Sequence, residues 1–194
     1  AAPSTVGHSI LDAADRWPER TAFILAGRSV TYAEFARQTE TAARGLLALG
    51  IKPGEHVGVL MPNCWDYAVL VGAINMVGAA AVVLNARYRG EDLRFVIAHA
   101  DITVLFTAGI GRPHLDLRAL LCAEFPELAR WHGGEPLAIA AAPKLRAVFH
   151  FQAPEEEAWA TERVFAAGAA TVSADILAGR IAAVRPEETA LVIF

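Results

Sequence analysis

Two kinds of hydrophobic run alternate along this chain. From Thr31 to Leu49 the residues Phe35, Thr39, Ala42, Ala43, Leu46 and Leu49 recur at the spacing that places them on one face of a helix. The short runs HVGVLM, AAVVL, ITVLF and LRAVFHF are instead apolar almost throughout, as strands buried on both faces are. Thr31, with Glu34 three residues later, has the form of a capping box and marks a helix start. Gly50 stands where such a helix commonly ends, and Lys52-Pro53-Gly54 supplies the turn after it. Asn63 is placed to cap a helix beginning at Cys64, with Asp66 in its first turn, where a carboxylate suits the open N–H groups. That helix reaches about Met76 to Gly78. Gly90 to His99 and His114 to Ala129 read as further helices.

Towards the N-terminus, Ser9 to Arg16 reads as an amphipathic helix that stops at Trp17, because Pro18 disfavours helical geometry in the residue before it. TAFILAGRSVTY reads as two strands around Ala26-Gly27-Arg28, a hairpin whose glycine supplies the turn conformation. In the last third, PEEEAWATERVFAAG reads as an acidic surface helix and SADILAGRIAAVRPEET as a solvated connection. The chain closes on ETALVIF, where Thr189 to Phe194 has the character of a strand buried on both faces. Strand–helix–strand units with short connections predict an α/β fold: a mainly parallel sheet sandwiched by helices, with a small N-terminal β-hairpin. Residues 1–194 are expected to form a single α/β lobe.

Composition narrows the function classes. Hydrophobic content of 55% against 20% charged residues provides a core and leaves no case for disorder. The formal charge is −4 and the arginines are scattered, so no basic stripe supports nucleic-acid binding. Cys64 and Cys122 are the only cysteines; without a CxxC pair they read as two buried free thiols, which suits a reducing cytoplasmic location. No basic start followed by an apolar run marks a signal peptide. Ala68 to Ala86 is uncharged over about the length a bilayer needs. It contains Asn75, however, and divides at Gly78 into a helix and a strand, so no transmembrane segment is expected.

The common nucleotide and hydrolase motifs are missing. There is no G-x-G-x-x-G after the first parallel strand; Gly109-Ile110-Gly111 continues as Arg112-Pro113-His114 and reads as a loop. Neither G-x-x-x-x-G-K-[ST] nor G-x-S-x-G occurs. The histidines His8, His56, His99, His114, His132 and His150 include no i,i+4 pair and no cysteine neighbour, so no metal site is expected. Glu155, Glu156 and Glu157 read as a charge run on a solvated face. By motif alone the chain holds no catalytic centre.

The order of its segments is more specific. Val30-Thr31-Tyr32-Ala33-Glu34-Phe35 is followed by the stretch Gly50 to Asn63, GIKPGEHVGVLMPN, and then by Val77 to Arg87, VGAAAVVLNAR. In this order and spacing the chain, over most of Ser9 to Phe106, resembles the adenylate-forming superfamily and within it the acyl-CoA synthetases, or fatty-acid–CoA ligases. The match fades after Phe106 and returns at PEETALVIF. The proline that the family carries before the asparagine is replaced by Leu84 or Val83 here, and the proline after it by Ala86, which leaves the shape of that loop open.

The resemblance implies a two-step reaction: a carboxylic acid, expected to be a fatty acid, is activated on ATP with Mg2+ to an acyl-adenylate, then transferred to coenzyme A. In the family a strand like Thr189–Phe194 leads into a Thr/Ser/Gly-rich phosphate-binding loop, so the chain is expected to be the truncated N-terminal part of the large domain. No catalytic or metal-binding residue is expected within it, no cofactor is expected bound, and alone it is expected to be inactive and prone to self-association or homodimer formation at an uncovered edge. One residue is expected to touch a ligand. Arg87 falls where some family members place an arginine at the mouth of the coenzyme A channel, facing its nucleotide phosphate, a task suited to a planar guanidinium. Arg89 could substitute for it, and Asn85 is expected to fix the turn. An aryl-CoA ligase, a peptide-synthetase adenylation domain and a non-catalytic α/β binding module remain as alternatives.

Overall fold

The structure is a computed structural model that describes residues 4–109, 116–133, 135, 137–152 and 159–194. These residues gather into two compact units. One comprises the chain up to Gly54, Asn63–Ala80 and Ala166–Ala190; the other comprises Glu55–Pro62, Ala81–Phe165 and Leu191–Phe194.

The first unit is helical. Helix α1 (Val6–Arg16) is capped by Thr5, whose hydroxyl accepts from His8 N–H, and it ends at Trp17 ahead of Pro18 as expected. Strands β1 (Thr21–Leu25) and β2 (Arg28–Thr31) form the antiparallel hairpin. Its turn is Ala26-Gly27, and both residues take positive φ, 49° and 79°. The turn therefore has the primed geometry that matches strand twist, with alanine as well as glycine in the left-handed region.

Helix α2 (Tyr32–Ala48) starts at Thr31, whose hydroxyl accepts from Glu34 N–H. The reciprocal half of the capping box is replaced, because the Glu34 carboxylate accepts from Arg28 and Gln38. Phe35, Thr39, Ala42, Ala43 and Leu46 are buried as their spacing predicts, and Leu49 is half-buried. Helix α3 (Trp65–Met76) has Cys64, not Asn63, at its N-cap position; the helix begins one residue later than the asparagine cap requires. Both α2 and α3 end in the same way. Gly50 and Gly78 adopt φ of 72° and 75°. Ile51 and Ala79 N–H then reach back to the carbonyls of Leu46 and Ile74, both at 3.1 Å.

The stretch expected to be a solvated connection contains helix α7 (Ala174–Ala183), capped by Ser173, with Leu177 and Ile181 buried. Its Arg180 donates to the carbonyls of Ile51 and Val77, each at 3.3 Å, so one guanidinium satisfies acceptors at the ends of α2 and α3. The apolar pair Leu177 and Ile181, four residues apart, was the available sign of this helix.

The second unit is built on a six-stranded sheet in the order β7-β6-β5-β3-β4-β8. Its strands are β3 (His56–Leu60), β4 (Ala80–Val83), β5 (Ile102–Ala108), β6 (Ala147–Phe151), β7 (Ala160–Thr161) and β8 (Leu191–Ile193). The pairings β3–β5, β4–β8, β5–β6 and β6–β7 are parallel. Helix α4 (Gly90–His99) and helix α5 (Leu117–Glu124) pack against the sheet through a core containing Leu60, Leu93, Ile97, Leu105, Leu121 and Val148. A second aromatic group, Phe106, Phe149, Phe151 and Phe165, has ring centroids 5.2–5.7 Å apart. Phe165 belongs to helix α6 (Glu162–Ala169).

Several expectations change here. The helix expected over His114 to Ala129 breaks at Phe125, since Pro126 follows it, and resumes as a 3₁₀ turn over Pro126–Ala129. The expected acidic helix becomes β7 and then α6, with Trp159 buried and its indole N–H donating to Leu128 O at 3.0 Å; residues 153–158, including the glutamate run, lie outside the described residues. Strand β8 is not buried on both faces. It sits at the end of the sheet with β4 as its neighbour, leaving Leu191 44% and Ile193 72% exposed. Cys64 and Cys122 are free thiols, but half-buried rather than buried.

The apolar stretch Ala68 to Ala86 is α3 followed by β4, and among the described residues no single helix is long and apolar enough to cross a membrane.

Candidate functional site

The loop that leaves β4 is organised by its own side chains. Asn85 Oδ1 accepts from Arg87 N–H, and the Asn85 carbonyl accepts from Tyr88 N–H, both at 2.9 Å. This is the turn expected of Asn85, an asparagine side chain imitating a backbone turn. The loop then closes from the other side. One nitrogen of the Arg89 guanidinium donates to the carbonyls of Ala86 and Tyr88, at 2.9 and 2.7 Å. The Tyr88 hydroxyl donates to the Phe194 carbonyl at 2.8 Å, which ties the loop to the end of β8. The two prolines of the family pattern are therefore not needed for a defined loop.

Arg87 lies in the middle of this loop and is exposed. Among the described residues its guanidinium has no ion-pair or hydrogen-bond partner, whereas that of Arg89 is committed to carbonyls. The structure thus separates two arginines that are equivalent in sequence. The loop follows the C-terminal end of a parallel strand, the side of an open α/β sheet where ligands bind. The next element, α4, begins without a side-chain cap and carries Glu91 and Asp92 in its first turn.

The histidines are engaged in local structure. His56 Nδ1–H donates to Ala100 O at 2.6 Å, and His99 Nδ1–H donates to Phe95 O at 2.9 Å. His8 pairs with the Thr5 hydroxyl at 2.8 Å, and His150 is buried with its ring edge towards Trp159. His114 and the loop residues 110–113 lie outside the described residues; Gly109, at the end of β5, donates its N–H to Phe151 O at 2.8 Å. Among the described residues no group of three His, Cys, Asp or Glu side chains could hold a metal ion.

Within the helical unit, an uncharged groove of about 590 Å³ is lined by residues including Ile10, Phe23, Phe35, Cys64, Trp65 and Tyr67. Phe23, Phe35 and Trp65 meet edge to face, with centroids 4.8–6.2 Å apart. Burial pushes the Cys64 thiol above its ordinary range. The Tyr67 N–H opposes this shift, the nearby Asp66 carboxylate adds to it, and the Asp66 N–H lowers it again.

Residues 10–194 match the family of AMP-binding enzymes, and the chain belongs to that family. Among curated relatives it is 32% identical over 178 residues to the 3-[(3aS,4S,7aS)-7a-methyl-1,5-dioxo-octahydro-1H-inden-4-yl]propanoyl:CoA ligase of Mycobacterium tuberculosis, which covers 91% of this chain and 31% of the relative. It is 29% identical over 108 residues to the 2-hydroxy-7-methoxy-5-methyl-1-naphthoate–CoA ligase of Streptomyces carzinostaticus, covering 56% of this chain and 19% of that one. Among solved structures, the long-chain-fatty-acid–CoA ligase FadD1 of Archaeoglobus fulgidus superposes with a TM-score of 0.64 at 20% identity, over 98% of this chain and 34% of that one. The chain spans about a third or less of the length of these proteins.

The sequence pointed to Arg87 and Asn85 but not to the clamp formed by Arg89 or the tie formed by Tyr88. Both depend on where carbonyls point, which no residue pattern encodes.

Proposed function

We propose that this chain is the N-terminal part of the large domain of an AMP-forming acid–thiol ligase. That protein would activate a carboxylic acid with ATP to an acyl-adenylate and pass the acyl group to coenzyme A. Within the chain, Arg87 would contact the nucleotide phosphate of coenzyme A. The observation that carries this reading is the exposed, uncommitted Arg87 guanidinium on a preorganised loop after β4, in a chain of the AMP-binding family. A planar guanidinium grips phosphate oxygens two at a time, and a fixed loop lowers the cost of holding it in place. Among the described residues no group of three carboxylate, histidine or cysteine side chains would hold the Mg2+ that the family reading brings.

A fatty acid is the favoured substrate. The resemblance of the sequence is to fatty-acid–CoA ligases, and nearly the whole chain superposes on one. An aromatic acid is the second reading, favoured by the similarity to a naphthoate–CoA ligase over 56% of the chain.

The test uses the protein encoded by the complete gene. Arg87→Ala should raise the KM for coenzyme A about tenfold and leave acyl-adenylate formation unchanged. It should also erase the preference for coenzyme A over its 3′-dephospho form. An unchanged KM removes Arg87 from the site, and a panel of aliphatic and aromatic acids decides between the two substrate readings.

A further inference from the structure

We infer that Arg89 is a positioning residue for Arg87, acting through the loop backbone and not through the ligand. This inference rests on the reading of Arg87 as a phosphate contact.

Arg89 and Arg87 are two residues apart, both exposed and both cationic, so the simplest expectation is a pair of phosphate ligands. The geometry divides them. A single Arg89 nitrogen holds the carbonyls of Ala86 and Tyr88, at 2.9 and 2.7 Å; the first belongs to the peptide that joins Ala86 to Arg87, the second to the peptide that joins Tyr88 to Arg89. The Arg87 N–H is itself held by Asn85 Oδ1 at 2.9 Å. The peptide between Arg87 and Tyr88 is held through the Tyr88 N–H, which donates to Asn85 O at 2.9 Å. Both peptide groups that flank Arg87 are therefore anchored, the preceding one by Arg89 and Asn85 and the following one by Asn85, and the Arg87 side chain is left to project. Holding them restricts the backbone torsions at residue 87, which set the direction in which its side chain leaves the loop.

Turning Arg89 to a phosphate would release two acceptors that no other side chain holds among the described residues. An ammonium could also donate twice from one nitrogen, but the lysine stem ends one atom short of the guanidinium nitrogen that holds both carbonyls.

The experiment is a double-mutant cycle in the protein encoded by the complete gene. KM for coenzyme A, the rate of acyl-adenylate formation and Tm are measured for the native protein, Arg89→Ala, Arg89→Lys, Arg87→Ala and Arg87→Ala/Arg89→Ala. Arg89→Ala should raise the KM roughly three- to tenfold without slowing adenylate formation, and Arg89→Lys should rescue little of it. On the Arg87→Ala background, removing Arg89 should cost nothing more. A merely structural role would lower Tm and slow adenylate formation as well, which overturns the inference. Additive effects, or full rescue by lysine, make Arg89 a direct phosphate ligand and also overturn it. A raised KM in Arg87→Ala with none in Arg89→Ala ends the positioning role and leaves the Arg87 reading intact. An unchanged KM in every variant ends both.

Discussion

The Asn75 side-chain amide donates to the carbonyls of Val71 and Ala190, at 3.0 and 3.1 Å, joining the last turn of α3 to the residue just before β8 across 115 positions of sequence. Asn75 is 7% exposed, so neither carbonyl partner is replaced easily by water. This explains the strongly polar residue inside the otherwise apolar run from Ala68 to Leu84: it serves the backbone of a distant segment.

Asn75→Ala should therefore destabilise the chain by about 2–3 kcal/mol, combining a buried carbonyl left without its donor and a small cavity. Equilibrium urea unfolding measures this. A change below about 0.5 kcal/mol, the range of ordinary surface substitutions, would show that the contact to Ala190 carries little weight.

Ala26 at the hairpin turn has φ of 49°, a conformation that costs an alanine free energy and an asparagine much less. Ala26→Asn makes the turn Asn-Gly, the favoured pair for this geometry, and should stabilise the chain by about 0.5–1 kcal/mol. Ala26→Val should have the opposite sign, because a β-branched side chain fits that region poorly. Chemical unfolding of the pair provides the comparison.

The Cys64 thiol is raised above its ordinary value of 9.0, chiefly because burial disfavours the thiolate. Its folded pKa exceeds its unfolded pKa, so its contribution to stability is present below the unfolded value. That contribution is lost as pH rises through the folded value. In a Cys122→Ala background, the rate of alkylation by iodoacetamide should reach half its maximum above pH 9.0, and that midpoint should fall in urea. A native midpoint at or below the unfolded one would contradict the burial argument.

Strand β8 leaves Leu191, Ile193 and Phe194 44%, 72% and 50% exposed at the end of the sheet. Apolar sheet edges pair with other edges, and a charge on the edge prevents this. The 194-residue chain should associate with rising concentration in light scattering, and Ile193→Lys should reduce the association. A native chain that stays monomeric throughout would refute the claim.

Much of the fold was legible because its determinants are local. The spacing of Phe35, Ala42 and Leu46, the hydroxyl of Thr31 and the glycines at 50 and 78 act within one or two turns of where they stand, and they place α2 and the end of α3 correctly, while the start of α3 falls one residue later than the Asn63 cap required. Gly90 to His99 was bounded correctly for the same reason. Where the reading failed, a neighbour in space had decided the matter. SADILAGRIAAVRPEET reads as a solvated connection, but α7 forms because Leu177 and Ile181 find a buried face and Arg180 finds two carbonyls at helix ends.

The candidate site divides in the same way. Asn85 bonds its own turn, so its role could be read from the chain, and the family order of segments brought Arg87 into view. That Arg89 is spent on the carbonyls around Arg87, and that Tyr88 reaches Phe194, emerged only in three dimensions.

By itself the sequence determined the alternation of strand and helix, the family and the arginine pair after β4, because hydrophobic period, caps and turns are short-range properties. The tertiary structure alone decided that β8 lies at the edge of the sheet and that, among the described residues, Arg89 is bonded to carbonyls while the Arg87 guanidinium has no partner. Strand order and the direction of a carbonyl depend on which distant segments pack together, and no local pattern carries that information.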